Sequence, residues 1–371
     1  MTGQQPLRIV VMAGGTGGHV FPALAVADEL RARGVEVSWL GTRLGLEADV
    51  VPRAGFPIDY VQVTGLRGKG VLSLLAAPFK VMLALWQSLS ILHRRQPSAV
   101  LGMGGFVTGP GGLAAWLRRC PLLIHEQNAR AGLTNRLLAP LARRVMEAFP
   151  DTFAPSAKVL RTGNPLRKSF TDDVAHEAQT DRADRALRLL VIGGSLGAVR
   201  LNEVVPAALA AMPAAQRPEV WHQAGKRNIA TARDTYAAAG IEARLEPFID
   251  DMAAAYRWAD VVLCRAGAMT IAELAAAGVP SILVPFPFAV DDHQTANARY
   301  LSAQQAAVLL PQPQLTAERL GEILLSLTPT TLKAMAEAAR KLALLDATTQ
   351  VVEQCLAVAR GEQTAKGVAH G

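Results

Sequence analysis

Short unbroken apolar runs alternate along the chain with longer stretches whose apolar positions recur every three or four residues. That pattern predicts parallel strands covered on both faces and joined by helices. The clearest example spans residues 258–286. Val261, Val262 and Leu263 form the run a buried strand requires, residues 268–277 are rich in helix formers, Gly278 is a natural C-cap, and a second strand leads to Pro285. Residues 265–270 make the turn between strand and helix. Ligands bind at such turns in open α/β sheets, because N–H groups at the helix start face a crevice at the strand's carboxyl end. Glu273 lies one helical turn beyond Met269 and Thr270 and can point back toward that crevice. Its carboxylate suits two neighbouring ribose hydroxyls better than a phosphate, which it repels; capping of the helix's own first N–H groups is the alternative.

The same alternation runs from the start of the chain. It predicts strands at 8–13, 35–41, 58–63, 99–103, 122–125 and 144–149, with a first helix over 20–33 that Gly34 ends. The pattern pauses at 162–165, passes through a polar stretch at 171–185 that reads as a solvated loop, and restarts with strand, glycine loop and helix from 187. A repeated head implies an α/β protein of two similar domains facing each other across a cleft. The expected divisions are 1–164, 165–340, and a final segment 341–371 whose helix packs back toward the first domain before a loose tail.

Residues 71–92 are apolar on more than one side of a helix, with Leu72, Leu75, Phe79, Met82, Trp86 and Leu89 on one seam and Leu74, Val81, Leu85 and Leu92 on another. Pro78, Lys80 and Gln87 argue against a membrane span. One seam can pack on the domain while the other lies among lipid headgroups, with Arg67, Lys69, Lys80, Arg94 and Arg95 drawn to anionic phosphates; burial of both seams is the alternative.

Composition narrows the classes. Half of the 371 residues are hydrophobic and 19% are charged, a globular balance. The net charge of +7 fits an anionic small molecule or an anionic membrane surface, and no dense Lys/Arg block interleaved with aromatics points to nucleic acid. Cys120, Cys264 and Cys355 are few, odd in number and far apart, which argues for a reducing compartment and against structural zinc. The amino terminus lacks the order of a secretory signal, so a cytoplasmic location is expected.

Three glycine turns end predicted strands, at 14–18, 102–105 and 193–197. Neither of the first two completes the dinucleotide fingerprint: the third glycine is replaced by Val20 in one and by Val107 in the other. Gly68-Lys69 is followed by Gly70 and preceded at position 63 by Val, so no phosphate-binding Walker loop is present. What remains is backbone able to approach a phosphate or sugar closely.

The ordered set GGTGGH at 14–19, LGMGGF at 101–106, HEQN at 125–128, TGNPLR at 162–167, GGSLGA at 193–198, CRAGAMTIAE at 264–273 and DDHQTANA at 291–298 resembles the MurG family of peptidoglycan N-acetylglucosaminyltransferases over essentially the whole chain. The resemblance implies a GT-B fold of two Rossmann-like domains. It also implies inverting transfer of GlcNAc from UDP-GlcNAc to the 4-hydroxyl of MurNAc in undecaprenyl-pyrophosphoryl-MurNAc-pentapeptide (lipid I), giving lipid II. A UDP-GlcNAc 2-epimerase of the same fold is the alternative, and a binding subunit without turnover is a third.

Carried over by position, the resemblance puts Thr16, Gly17 and Gly18 on the sugar and diphosphate side, Asn128 on the GlcNAc, and Arg167 and Ser195 on the diphosphate. Ile249 offers its backbone to the uracil; Ala268, Met269, Thr270, Ile271, Ala272 and Glu273 form the nucleotide loop, with Glu273 on the ribose; and Gln294 holds sugar hydroxyls. Position 293 is His where some members have Gln. Inverting transfer needs a base for the acceptor proton and positive potential for the departing UDP. His19 is the candidate base or acceptor-orienting group, with Glu126 as its rival. No cofactor and no metal are expected: Asp-Asp pairs occur at 172, 250 and 291 rather than Asp-x-Asp, and helix N-termini with Arg167 can stabilise UDP. Leu75, Phe79, Trp86, Lys69 and Lys80 are the expected membrane contacts. The expected setting is peripheral, on the cytoplasmic face of the inner membrane, with other cell-wall synthesis proteins among the partners and no nucleic acid.

Overall fold

The computed structural model describes residues 6–63, 77–175, 185–194 and 197–362. The chain divides into two compact domains, Met1–Arg167 with Leu344–Gly371, and Lys168–Ala343.

In the first domain, β1 (Arg8–Met12), β2 (Glu36–Gly41), β3 (Ile58–Tyr60), β4 (Ala99–Gly102), β5 (Leu122–Glu126), β6 (Arg144–Glu147) and β7 (Val159–Arg161) form one parallel sheet in the order β3-β2-β1-β4-β5-β6-β7. The order reverses between β1 and β4, which makes the carboxyl ends of those two strands the switch point where ligands bind in such sheets. The glycine turns at 14–18 and 102–105 follow those two ends. One face of the sheet is covered by helices Gly17–Ala32 and Ala347–Ala359, around Ile9, Val11, Val26, Leu30 and Val351; the other lies under Ala77–Arg95, Thr108–Leu117 and Leu133–Leu138. Trp39 is fully buried, and its indole N–H donates to the Ala13 carbonyl at 2.8 Å, fixing the point at which β1 hands over to the glycine turn. Thr348 Oγ1 donates to the Leu166 carbonyl at 2.7 Å, so the last helix is hydrogen-bonded to the end of the domain's main segment.

The second domain repeats the plan with β8 (Arg188–Ile192), β9 (Glu219–Gln223), β10 (Arg244–Glu246), β11 (Val261–Cys264), β12 (Ser281–Leu283) and β13 (Ala307–Leu309), parallel in the order β10-β9-β8-β11-β12-β13. The helix expected at 268–277 is Ala268–Ala277, and Gly278 closes it in the left-handed conformation at φ 61°, ψ 39°.

Three expectations change. The first helix begins at Gly17 rather than at residue 20, because Thr16 is extended and its carbonyl accepts from the N–H groups of His19 and Val20 at 3.1 and 3.2 Å. Gly17, Gly18 and His19 are therefore a helix N-terminus and not a loop. The stretch expected as a solvated loop at 171–185 starts instead inside helix Lys168–Ala175, held by Phe170 packing edge-on against Tyr256 at 6.0 Å; residues 176–184 lie outside the described residues. On helix Ala77–Arg95 the seams sort differently. Leu85, Leu89 and Leu92 face the core with Ile91, while Phe79, Val81, Met82, Leu83 and Trp86 are exposed.

Candidate functional site

The first glycine turn is built against bare backbone and one buried acid. Gly14 N–H donates to the Gly104 carbonyl at 3.3 Å, and a Cβ on Gly105 would lie 2.4 Å from the Gly14 carbonyl oxygen, so the turns at 14–18 and 102–105 touch directly. Gly15 N–H donates to Glu47 Oε2 at 2.9 Å; Glu47 Oε1 accepts from Thr42 N–H at 2.9 Å and from its hydroxyl at 2.7 Å. Glu47 is fully buried, and Cβ atoms on Gly14, Gly41 and Gly45 would each come within 2.8 Å of its side chain. Sequence reasoning missed Glu47. The signal was the glycines around it, separated in sequence but converging on one carboxylate.

His19 is half-buried in the first turn of helix Gly17–Ala32. Its Nδ1 stands 3.3 Å from the Gly14 carbonyl, which can only accept, so Nδ1 carries the hydrogen and Nε2 is the basic nitrogen of the neutral ring. The ring lies against Gly104: a Cβ there would meet His19 Cδ2 at 2.5 Å, and Gly104 has φ 106°. Thr16 and Gly18 are exposed and Gly17 is half-buried.

Glu126, the rival base, is committed elsewhere. Oε1 accepts from Asn128 N–H at 3.1 Å and Asn128 Nδ2 at 3.2 Å; Oε2 accepts from Gly132 N–H at 3.0 Å and Asn135 Nδ2 at 2.9 Å. It is buried, and in this arrangement it orders the loop that carries half-buried Asn128. His125 beside it is fully buried, which pushes its pKa down to about 4. Neutral at ordinary pH, it donates from Nε2 to the Gly163 carbonyl at 2.9 Å and accepts at Nδ1 from the Gln127 amide at 3.1 Å. Asn164 Nδ2 donates to the Gln127 carbonyl at 3.0 Å, so the HEQN and TGNP segments are one hydrogen-bonded piece. Arg167 is exposed, its guanidinium 5.3 Å from the Phe21 ring on the glycine-turn helix.

In the second domain the nucleotide-loop residues divide by burial. Ala268 and Ile271 are buried, while Met269, Thr270, Ala272 and Glu273 are half-buried. Glu273 Oε2 accepts from the Tyr256 hydroxyl at 2.9 Å, which orients the carboxylate from beneath. Burial holds the Tyr256 phenol well above its ordinary pKa, so it stays a donor. Arg265 turns away from the crevice: it donates to the Val284 and Pro285 carbonyls at 3.1 and 3.4 Å and to Gln312 Oε1 at 2.6 Å. Gln294 Oε1 accepts from Phe286 N–H at 2.9 Å, and the Ile249 side chain is buried. Gly193 and Gly197 fold tightly over the end of β8, where a Cβ on Gly197 would lie 2.3 Å from the Ala224 carbonyl oxygen. Ser195 lies outside the described residues.

Among the expected membrane contacts, Phe79, Lys80 and Trp86 are exposed on helix Ala77–Arg95, whereas Leu75 and Lys69 lie outside the described residues. Among the described residues no helix is long and apolar enough to cross a membrane, and no group of three or more His, Cys, Asp or Glu could hold a metal ion.

Comparison with known proteins places the chain in a family. Residues 9–147 match the glycosyltransferase family 28 N-terminal domain and residues 188–351 the family 28 C-terminal domain. A protein of Nitrosococcus oceani named UDP-N-acetylglucosamine--N-acetylmuramyl-(pentapeptide) pyrophosphoryl-undecaprenol N-acetylglucosamine transferase is 58% identical, over 96% of this chain and 99% of its own. The crystal structure of Acinetobacter baumannii MurG is similar with a TM-score of 0.81 at 41% identity, over 94% of this chain and 99% of its own. A UDP-GlcNAc 2-epimerase from Neisseria meningitidis, bound to UDP-GlcNAc, has a TM-score of 0.67 at 14% identity over 94% of this chain and all of its own, a likeness of fold alone.

Proposed function

The chain belongs to glycosyltransferase family 28 and has the GT-B architecture, and on that premise we infer that it transfers N-acetylglucosamine from UDP-GlcNAc to the muramyl sugar of undecaprenyl-pyrophosphoryl-MurNAc-pentapeptide. The relation over nearly its whole length to a transferase of that name carries the reaction, and it favours transfer over the epimerase alternative, whose likeness is limited to fold.

In the mechanism we propose, the acceptor's 4-hydroxyl oxygen attacks the anomeric carbon of GlcNAc from the face opposite UDP. The new C–O bond forms as the bond to the diphosphate breaks, the hydroxyl proton passes to His19 Nε2, and UDP leaves with the electron pair. The His19 Nδ1 contact with Gly14 supports this assignment, since it leaves Nε2 as the basic nitrogen of the ring. The saturated hydrogen bonding of Glu126 supports a loop-ordering role for it instead. In the first domain the N-terminal turn of helix Gly17–Ala32 and Arg167, and in the second domain the N-terminal turn of helix Ala268–Ala277, each carry positive potential of the kind that the departing UDP requires. Glu273, oriented by Tyr256, is suited to the ribose hydroxyls, Ile249 to the uracil through its backbone, and Asn128 and Gln294 to the sugar.

A lipid-linked acceptor also gives a reason for the exposed apolar surface on helix Ala77–Arg95. Phe79, Met82 and Trp86 are 77%, 66% and 67% exposed, beside Lys80. We assign this face to peripheral contact with an anionic membrane, on the cytoplasmic side of the inner membrane. Mass analysis of the lipid product tests the transfer: a disaccharide-lipid supports it, and free ManNAc with an unaltered acceptor favours the epimerase.

A further inference from the structure

The first domain carries a second basic recess, at the end of its sheet opposite the glycine turns. A cavity of about 510 Å³ opens beside Arg8 and Glu36, the first residues of β1 and β2, and is lined in addition by Arg31, Arg94, Arg95 and Phe56. Four arginines and one glutamate thus line it. The first glycine turn leaves the other end of β1, roughly 13 Å away at ~3.3 Å per residue.

The four arginines are not equivalent. Arg31 is taken up by structure: it donates to Asp28 at 2.6 Å and to the Ala54 carbonyl at 2.9 Å, and its guanidinium stacks 4.1 Å over the Phe56 ring. Arg94 and Arg95 each give one N–H to Asp59, at 2.6 and 2.7 Å, which leaves each guanidinium with further donors and one shared counter-charge between them. Arg8, half-buried at the start of a core strand, has no hydrogen bond or ion pair to its guanidinium among the described residues; its backbone N–H donates to Ser98 Oγ at 3.3 Å. Its register partner Glu36 forms no ion pair with it. A guanidinium set in a cavity wall without a counter-ion, next to two more that share one, is a fork-shaped donor array of the kind that binds phosphate oxygens bidentately.

The ordinary role of Arg31, Arg94 and Arg95 is to balance the carbonyl ends of helices Gly17–Ala32 and Ala77–Arg95, whose last turns they occupy or follow. Arg8 has no such role, since it stands on a strand and not on a helix end.

We propose that this recess is a binding site for a phosphate group carried on a small polar body, distinct from the donor site, with Arg8 and Arg95 as its principal ligands and Arg94 at its rim. The apolar wall at Phe56 and the volume leave room for a glycerol- or sugar-sized substituent beyond the phosphate itself. The same chemistry is offered by a soluble phosphorylated metabolite and by a phospholipid headgroup.

The test is titration calorimetry of the full-length chain at low ionic strength with glycerol 3-phosphate, repeated with UDP at saturation. Sedimentation with phosphatidylglycerol and with phosphatidylcholine vesicles forms a second arm. The expected result is one site per chain, unaffected by UDP and weakened at least tenfold by Arg8→Ala and about fivefold by Arg95→Ala, while Arg319→Ala, an exposed arginine of the second domain, changes nothing. Arg8-dependent binding of the soluble probe assigns a soluble ligand. A silent soluble probe with Arg8-dependent preference for phosphatidylglycerol vesicles assigns a headgroup. Displacement by UDP, or equal losses in Arg8→Ala and Arg319→Ala, overturns the proposal, as does absence of Arg8-dependent binding in both arms. Circular dichroism melts check folding; should Arg8→Ala unfold, Arg8→Lys and Arg95→Ala carry the same comparison, with transferase turnover expected at the parent level in both.

Discussion

The Glu47 carboxylate holds the Gly15 backbone N–H at 2.9 Å from a position of complete burial, and the glycine turn beside His19 takes its shape from that contact. Replacing the carboxylate by an amide keeps the volume but cannot supply acceptors to Gly15 N–H, Thr42 N–H and the Thr42 hydroxyl together. Glu47→Gln should therefore lower kcat/KM on the order of 10- to 100-fold and cost roughly 1–3 kcal/mol of stability, from buried groups left without a partner. Steady-state turnover and a denaturant melt of the same preparation check it; a fully active variant would detach the turn's geometry from catalysis.

Gly104 makes a narrower test, because it touches the proposed base and nothing in its own side chain is lost. An added methyl would stand 2.5 Å from the His19 ring at a residue with φ 106°. Gly104→Ala should displace the imidazole and reduce turnover at least tenfold, with UDP binding, measured by calorimetry, within a factor of about three of the parent. Loss of UDP binding on the same scale as turnover would mean that the second glycine turn serves the nucleotide instead.

Two buried histidines set a pH dependence of stability. Burial holds His125 at a pKa of about 4 and His222 at about 3, below the ~6.5 of an unfolded chain. As pH falls through 6.5 toward those values, the unfolded chain takes up protons that the fold excludes, so stability is full above about 6.5 and declines on acidification. The unfolding free energy from urea titrations should drop steadily from pH 7 to pH 4.5, by about 1–3 kcal/mol per histidine, and less steeply in His222→Gln. An unfolding free energy that is flat over this range would contradict the burial of both rings in the neutral form.

The exposed face of helix Ala77–Arg95 makes an independent prediction about location. Introducing charge at its two most exposed aromatics, in the double variant Phe79→Asp, Trp86→Asp, should abolish sedimentation with anionic vesicles while leaving the fold intact, since neither side chain contributes to the core. Vesicle binding equal to the parent's would remove this face from the membrane contact.

Local signals made much of the architecture legible. Apolar runs marked β1 to β6 of the first sheet and β8, β11 and β12 of the second but not β7, β9, β10 or β13, and helix Ala268–Ala277 was readable because propensity and its glycine stop agree. What local pattern misjudged was settled by tertiary contact. Leu89 falls on the same helical seam as Phe79 and Trp86, yet the neighbouring helix Thr108–Leu117 covers it, and no periodicity along one helix reveals where a neighbour lies. Helix Lys168–Ala175 was hidden in a polar stretch because what holds it is tertiary: Phe170 packs on Tyr256, and the helix lies against helices Met252–Trp258 and Ala268–Ala277. The glycine turns and His19 were visible as candidates, but Glu47 was not: between Leu46 and Ala48 it looks like any acid in the first turn of a short helix, and only the folded chain brings Gly15 to it.

Acceptor-dependent transfer with His19 as base is tested by UDP release from UDP-GlcNAc by the purified chain, with and without a lipid I analogue in detergent, for the parent and His19→Ala. Release is expected only with acceptor, with a loss of about 10²- to 10⁴-fold in kcat in the variant at nearly unchanged donor affinity. UDP release without acceptor would contradict the transfer, and a His19→Ala enzyme with parental turnover would contradict the assignment of the base.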